Sequence, residues 1–396
     1  MDDCRNSTIN VVGFCLLPCE LIQNILLYLT LPEIIHMKLV NKSIFCTISE
    51  QNFVREYNLR SKSATWLFLY MKRWRRDAVL RGFSDESRRW FKISVTEMLK
   101  QVVSPGEDVY FLKASGNFFL FASNTSQVVI AVNFVSKTVK KIPPCPLGPR
   151  GTSSWRRSGM KVVACPDESG SDHFRFLFAE LVENRPVLFE YRSDSNTWKS
   201  RQARESVEGR DWSRVGSDWV FLNVSNGPYG SVVVAVGSDE ELVVLRPRFD
   251  GGRRRRRAVG FTRVNAMDWL HVYGDGYMAL VRSCGASEMK RKVSGVELWG
   301  MCRNGRRWEF VSEVPSEIME KISKGYGVMM GCVEERDGII RVALISNSEG
   351  VWDIVWLSYD MIRGGGQWSW VPLPDCKMIN GSNMAGITFS SGLTLS

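Results

Sequence analysis

The chain has 396 residues, of which 44% are hydrophobic and 24% are charged, and its formal net charge is +10. This is an ordinary globular composition, and the length is sufficient for one small and one large domain. The ten cysteines have no paired spacing, which argues against a disulfide scaffold and against a zinc ribbon. We expect them to be small buried hydrophobic residues in a reducing compartment.

Residues 11–31 are apolar enough to raise the question of a membrane segment. Glu20, Gln23 and Asn24 lie near the centre of this stretch, and the preceding Met1-Asp2-Asp3 is acidic. Both features argue against a transmembrane span and against a signal peptide. We therefore expect a soluble intracellular protein, in the nucleus, the cytoplasm or both, with no membrane partner.

A small helical domain is predicted over residues 15–60, after an N-terminal tail over residues 1–14. One apolar stripe with a spacing of four residues predicts a first helix, and it consists of Leu17, Leu21, Ile25 and Leu29. Pro18 suits the first position of that helix, because its missing N–H has no helical partner there in any case. Pro32 repeats the start signal for a second helix.

Two further helices are predicted in the same domain, one over residues 41–48 and one that starts near Ser49 and carries Phe53 and Tyr57. Helices this short cannot bury their apolar faces alone, and about forty residues is near the lower limit for a stable domain. The pattern leaves two possibilities open: the helices dock onto a partner protein, or they pack on their own chain.

From about Ala64 onward, short alternating or fully apolar runs separated by Gly, Ser, Asn and Asp predict strands. They recur in units, and each unit ends with a polar turn and a closing strand that often begins with Trp. The six closing strands lie near Trp90, Val139, Trp198, Val259, Trp308 and Trp368 or Trp370. A period of roughly 50 residues predicts a kelch-like propeller, and six closing hairpins predict six blades.

The first of these strand repeats is short, since residues 66–93 have room for only three strands. Residues 385–396 read AGITFSSGLTLS, which is a strand composition. We expect this segment to return to the first blade as its missing inner strand and so to remove two exposed sheet edges. The propeller is therefore predicted over residues 61–396. The Trp residues of the outer hairpins are expected to pack between neighbouring blades.

The sequence offers little support for catalysis. The three histidines, His36, His173 and His271, are far apart and do not form a copper or zinc site. Residues 325–331 approach a dinucleotide fingerprint but have an extra residue and no following helix, so we interpret them as a loop that enters a strand of the sixth blade. We expect no catalytic, metal-binding or cofactor-binding residue in this chain.

Arg253–Arg257 is a run of five arginines. It has three interpretations: a solvated hairpin loop, a nuclear-import signal, or a contact for an acidic partner. Together with other arginines in predicted turns, it also leaves open a nucleic-acid-binding propeller, although such a site needs aromatic platforms and a continuous basic face. We do not expect nucleic acid to be a partner.

The helical stretch resembles an F-box. That motif has a Leu-Pro start and a Leu/Ile-rich first helix. An aliphatic pair then precedes a Cys-Lys-x-Trp segment, and a Phe follows about nine residues beyond that Trp. The matching residues are Leu17, Pro18, Leu21, Ile25, Leu29, Leu39, Val40, Lys42 and Phe53. Asn41 and Ile44 stand where the motif has Cys and Trp. With the propeller that follows, the chain is similar to the plant F-box/kelch family, although the double-Gly signature of the kelch repeat is mostly absent.

This resemblance implies a multidomain protein, with a small all-α F-box followed by an all-β six-bladed propeller. It implies a substrate-recognition subunit of an SCF-type ubiquitin ligase, which docks on the Skp adaptor and through it meets a cullin and a RING subunit. The implied adaptor-binding residues are Leu17, Pro18, Leu21, Ile25, Leu29, Leu39, Val40, Lys42 and Ile44. The propeller would hold an unknown target protein. The alternative is an interaction scaffold or transcriptional co-regulator without ligase activity.

Overall fold

The structure is a computed structural model of the chain. It describes residues 17–61, 64–73, 76–157, 159–166, 172–206, 209–213, 219–227, 230–237, 241–249, 269–273, 278–285, 293–322, 328–348, 351–362, 365–374 and 382–395. The chain divides into two compact units. The boundary lies between Ala64 and Thr65, and the residues from Gly392 onward belong to the first unit.

Four helices form the first unit: α1 (Cys19–Leu27), α2 (Leu31–Met37), α3 (Lys42–Ser49) and α4 (Gln51–Ser61). All four predicted helices are therefore present. Pro18 lies just before α1, and α2 begins with a capping box in which the Glu33 carboxylate accepts a 2.9 Å hydrogen bond from the Thr30 backbone N–H. Asn58 of α4 exchanges two hydrogen bonds with the Leu395 backbone, of 2.7 and 3.3 Å, which attach the end of the chain to this unit.

The strands of the second unit are four to eleven residues long, apart from two strands of two residues each among the described residues. Its first strands and helices are β1 (Thr65–Arg73), β2 (Arg76–Ser84), β3 (Arg89–Ile93), α5 (Thr96–Leu99), β4 (Val109–Ser115), β5 (Phe118–Ser123), β6 (Val129–Asn133), β7 (Thr138–Ile142), α6 (Thr152–Arg157), β8 (Met160–Pro166), β9 (Asp172–Val182), β10 (Arg185–Arg192) and β11 (Thr197–Gln202).

The second half continues in the same manner. Its elements are β12 (Arg204–Glu205), β13 (Val220–Gly227), β14 (Gly230–Val236), β15 (Leu242–Leu245), β16 (Arg248–Phe249), β17 (Trp269–Tyr273), β18 (Met278–Gly285), β19 (Val293–Met301), β20 (Arg307–Glu313), α7 (Ser316–Ile322), β21 (Val328–Arg336), β22 (Ile339–Ser348), β23 (Val351–Asp360), β24 (Gln367–Val371) and β25 (Ser382–Ser391).

These strands make a six-bladed propeller. The blades are the antiparallel sheets β25-β1-β2-β3, β4-β5-β6-β7, β8-β9-β10-β11, β13-β14-β15, β17-β18-β19-β20 and β21-β22-β23-β24. The first strand of each blade contacts the first strands of both neighbours, so that β25, β4, β8, β13, β17 and β21 close a ring. The predicted number of blades is confirmed.

The predicted closure by the C-terminal strand is also confirmed. β25 pairs antiparallel with β1, from Thr65 opposite Ser391 to Arg73 opposite Ser382. β25 passes very close to its neighbour in the ring, β4. A Cβ atom added to Gly386 would lie 2.3 Å from the Phe111 carbonyl oxygen of β4. Gly386 has a φ of +141°, which side chains rarely adopt, so this position needs glycine for two separate reasons.

Five outer hairpins have the predicted form. In four of them, a residue with positive φ lies two positions before the Trp or Val that is the second residue of the last strand: Arg88, Lys137, Asn196 and Gly366, with φ of 51°, 56°, 55° and 73°. Each Trp or Val then pairs with a residue of the preceding strand, as Trp198 does with Tyr191. The shared turn keeps the same register in each of these blades.

The fourth blade differs from the expected form. Its outer position beside β15 is taken by β12, which comes earlier in the chain and pairs in parallel with β15. Arg248 and Phe249, which belong to the predicted closing segment over residues 246–261, instead pair in parallel with β20 and link the fourth blade to the fifth. The rest of that segment, including Arg253–Arg257 and Val259, lies outside the described residues.

Apolar side chains fill the spaces between blades. Separate buried clusters lie between the second and third, third and fourth, fourth and fifth, fifth and sixth, and sixth and first blades. Between the first and second blades, Phe68 meets Phe119 edge to face at 4.8 Å, and Tyr70 meets Phe121 at 5.3 Å. Burial between blades is therefore what holds the ring together.

Candidate interaction surfaces

The helical unit has a core and an uncovered apolar surface. Leu26 of α1, Ile34 of α2 and Ile48 of α3 are fully buried, and Phe53 and Tyr57 stack on α4 with ring centroids 6.2 Å apart. The Tyr57 hydroxyl donates a 3.0 Å hydrogen bond to the Leu29 carbonyl oxygen, which fixes α4 against the segment after α1. The helices are thus packed before any partner is added.

Seven of the thirteen large hydrophobic side chains that are exposed among the described residues lie in this small unit. They are Leu21, Ile25, Tyr28, Leu39, Val40, Phe45 and Leu59. Leu21, Ile25 and Tyr28 recur every three or four residues on α1, so they share one side of that helix. Exposed apolar side chains at this density are typical of a protein-binding surface rather than of a free surface.

The residues predicted to bind the adaptor are not equally accessible. Pro18, Leu21, Ile25, Leu39, Val40 and Lys42 are exposed, and Leu17 and Leu29 are half-buried. Ile44 differs from them, because its side chain is only 3% exposed. In this conformation Ile44 supports the helices from within and offers no contact surface.

Sequence reasoning missed two exposed aromatic residues. Tyr28 at the end of α1 is 83% exposed, and Phe45 on α3 is 49% exposed. The helical spacing of Leu21, Ile25 and Tyr28 is the signal that would have found the first. Phe45 follows the buried Ile44 directly, so only the orientation of α3 reveals that it faces solvent.

Asn41 has a structural role that its departure from the F-box motif did not indicate. Its side-chain oxygen accepts a 2.8 Å hydrogen bond from the Ile44 backbone N–H, which makes Asn41 the N-cap of α3. Leu39 and Val40 lie directly before this cap, in a turn where their backbone N–H groups donate to the carbonyl oxygens of His36 and Met37. Nearby, burial lowers the pKa of Lys38.

The propeller unit has a cleft of about 990 Å³ beside the β12–β15 pair. Three arginines line it, namely Arg201, Arg204 and Arg210, together with Trp212 and two glutamates, Glu205 and Glu241. Arg210 forms a 2.8 Å ion pair with Glu241, and its guanidinium lies 4.6 Å from the centre of the Trp219 ring. Arginines beside a tryptophan ring can bind an aromatic or acidic side chain of another protein, and here Glu205 and Glu241 offset part of their positive charge.

The described residues hold no group of three or more His, Cys, Asp or Glu side chains that could bind a metal ion. His36 lies on α2, His173 on β9 and His271 on β17, so the histidines belong to separate elements. Within the same part of the chain, no helix is both long and apolar enough to span a membrane.

The chain matches no protein-family model and no curated protein. Several solved structures are similar to it at a low level of identity. TolB from Acinetobacter baumannii has a TM-score of 0.42 and 8% identity, over 87% of this chain and 71% of that one. A nidogen/laminin complex has a TM-score of 0.42 and 9% identity, over 84% of this chain and 100% of that one.

The propeller domain of the Trilobed protease from Pyrococcus furiosus has a TM-score of 0.33 and 10% identity, over 78% of this chain and 92% of that one. Similarity at this level carries no information on function. The six-bladed propeller rests instead on the strand pairing and on the closed ring of inner strands.

Proposed function

We propose that this chain is a substrate-recognition subunit of an SCF-type ubiquitin ligase, in which the helical unit is an F-box that docks on the Skp adaptor. The observation that carries the proposal is the exposure of Leu21, Ile25, Leu39 and Val40. These four residues match the F-box motif, and a packed helical unit has no internal reason to leave them uncovered. Binding of an adaptor would bury them.

In this proposal the propeller holds the target protein. The cleft beside β12 is the candidate contact for the target, since it places Arg201, Arg204 and Arg210 beside Trp212. Catalysis would be supplied by the assembly, which brings target lysines to the conjugating enzyme, and the contribution of this chain would be proximity. Adaptor, cullin and RING subunit remain proposed partners, and the nucleus or cytoplasm remains the proposed location.

The test is binding of the purified full-length chain to a Skp adaptor. The double variant Leu21→Asp, Ile25→Asp changes only exposed side chains, so the helices should still fold. We expect it to bind the adaptor at least tenfold more weakly than the wild type, because both residues lie at the proposed interface. Leu59→Asp is the matched control: Leu59 is 60% exposed on α4 but is not part of the motif.

Two results would contradict the proposal. One is failure of the wild-type chain to bind any Skp adaptor, and the other is unchanged binding by the Leu21→Asp, Ile25→Asp variant. The first would favour the alternative function, an interaction scaffold or transcriptional co-regulator without ligase activity, and the second would show that these two residues do not lie at an adaptor interface.

A further inference from the structure

Residues 392–395 belong to the helical unit, although the strand directly before them belongs to the propeller. The division into two compact units assigns Gly392 and the residues after it to the unit that contains residues 17–61. β25, which ends at Ser391, is an inner strand of the first blade and pairs with β1. One continuous piece of chain therefore closes the propeller ring and then enters the helical unit. We call residues 392–395 the C-terminal segment.

The C-terminal segment supplies part of the hydrophobic core of the helical unit. Its two leucines, Leu393 and Leu395, are both buried, and Leu395 is fully so. Residues 17–61 contribute eight buried hydrophobic side chains, so two of the ten in these two stretches come from the segment. A domain of about forty residues is near the lower size limit for independent stability. A unit this small depends strongly on two additional buried leucines.

Hydrogen bonds hold the C-terminal segment on α4. The Leu395 backbone N–H donates to the Asn58 side-chain oxygen at 2.7 Å, and the Asn58 amide nitrogen donates to the Leu395 carbonyl oxygen at 3.3 Å. Leu395 lies outside any strand, so the Asn58 amide satisfies both of its backbone groups as a neighbouring strand would. The helical unit thus binds Leu395 by its backbone as well as by its buried side chain.

Helix α4 connects the C-terminal segment with the proposed adaptor-docking surface. Tyr57, the neighbour of Asn58, donates a 3.0 Å hydrogen bond to the Leu29 carbonyl oxygen shortly after α1, and α1 and α4 are in contact. Leu21 and Ile25 are exposed on α1. Loss of the segment would loosen α4, and the helix that carries Leu21 and Ile25 would lose part of its support.

Closure of the propeller also determines where the C-terminal segment begins. In the pairing of β25 with β1, Ser391 lies opposite Thr65, the residue that directly follows the helical unit in the chain. Gly392 has a φ of +72°, a left-handed conformation that favours glycine, and here the chain leaves the strand. A segment held at this position has a higher effective concentration at α4 than one that follows an unpaired β25.

We propose that the C-terminal segment makes adaptor docking conditional on a closed propeller: the helical unit is complete only when β25 occupies its place in the ring. The consequence for docking rests on the proposed function, whereas the completion of the helical unit does not. Residues 17–61 are synthesised early, but residues more than three hundred positions later complete their unit. A chain with an open propeller therefore lacks a formed docking surface and is excluded from the ligase.

Hydrogen exchange tests the completion of the helical unit without an adaptor. Leu395→Asp places a charge in the core, and exchange at the α4 amides should accelerate about tenfold or more. Leu59→Asp is the matched control, because the same substitution at an exposed position of α4 should change exchange by about threefold or less. All fourteen tryptophans lie at Trp66 or later, so tryptophan fluorescence verifies separately that the propeller is folded in each variant.

Gly386→Ala tests the dependence on ring closure. The added Cβ atom would collide with the Phe111 carbonyl oxygen of β4, so the variant weakens the packing of β25 and leaves the C-terminal segment unchanged. Exchange at the α4 amides should still accelerate about fivefold or more, although Gly386 lies in the propeller. Gly148→Ala is the control, since Gly148 also has a positive φ, of +86°, but no atom within 4 Å of the added Cβ.

Adaptor binding then tests the consequence for docking. Leu395→Asp should bind a Skp adaptor at least about tenfold more weakly than the wild type, because only the completed fraction of the helical unit is competent to bind. Unchanged α4 exchange in Leu395→Asp or in Gly386→Ala, or equal adaptor binding by Leu395→Asp and the wild type, would overturn the proposal. If the wild type binds no adaptor while both variants show faster exchange, the proposed function is wrong and the coupling of the two units is confirmed.

Discussion

Trp198 on the outermost strand of the third blade donates its indole N–H to the carbonyl oxygen of Pro143, 2.9 Å away in the second blade. The same relationship recurs around the ring. The Trp90 indole of the first blade donates to the Pro374 carbonyl at 2.7 Å, and the Trp368 indole of the sixth donates to the Ser312 hydroxyl of the fifth at 3.0 Å. In each case the donor reaches the preceding blade, so each tryptophan couples two blades by a polar bond as well as by apolar packing.

Replacement of Trp198 by Phe should test this coupling. The aromatic ring is kept and the N–H donor is lost, so the Pro143 carbonyl loses its partner. We expect destabilisation by about 1 kcal/mol and a lower midpoint of thermal unfolding. Trp370→Phe is the control, because the Trp370 side chain is 40% exposed and its replacement should change stability by about 0.5 kcal/mol or less. Equal midpoints for Trp198→Phe and the wild type would show that the bond adds nothing.

Replacement of Asn41 by cysteine should weaken helix α3. Asn41→Cys removes the side-chain oxygen that accepts from the Ile44 backbone N–H, and loss of such an N-cap costs about 1 kcal/mol. Hydrogen exchange at the Ile44 amide should accelerate about fivefold. Asn41→Asp keeps the acceptor and should leave the exchange rate close to that of the wild type. If both variants exchange alike, the cap does not control the start of this helix.

Glu190 should make stability depend on pH. Its side chain is 3% exposed and accepts 2.8 Å hydrogen bonds from Arg175 and Arg192, with Arg201 at 3.7 Å. Burial alone would raise its pKa, but the hydrogen bonds and charges of Arg175 and Arg192 outweigh burial and hold the pKa below the usual glutamate value. The stability that this provides is present above the usual glutamate pKa and is lost as pH falls through the lowered folded-state pKa.

We therefore expect Glu190→Gln to lose about 2 kcal/mol of stability at neutral pH, and to lose much less relative to the wild type near pH 3. Urea unfolding of both proteins across this range measures the difference. Glu183→Gln, at an exposed turn of the same blade, is the control. The difference in stability between this variant and the wild type should not become smaller toward low pH. A difference between Glu190→Gln and the wild type that stays constant with pH would contradict the assigned cause.

Local sequence determined much of this architecture. Pro18 and Pro32 mark the starts of two helices, and the turns before Trp90, Trp198 and Trp368 mark closing strands, because each depends on residues only a few positions apart. The returning C-terminal strand was also predictable, since the first blade lacked one strand and residues 385–396 had the composition to supply it. Each of these inferences needs only backbone preference and the period of apolar residues.

Other features depended on the tertiary structure. The parallel pairing of β12 with β15 was not predictable, because a two-residue strand has no detectable period. The burial of Ile44 and the exposure of Phe45 follow from how α3 packs. Two adjacent apolar residues in a sequence do not reveal which of them faces the core.

The amino-acid sequence by itself determined the helical start of this chain, the strand repeats and the register of most outer hairpins, since all of these are short-range. Only the closed ring decided that β4 and β21 lie on either side of β25. These two strands are far apart in the chain, and they come together because β25 closes the circle between them. Local preference contains no information on such a meeting, whereas burial between blades imposes it.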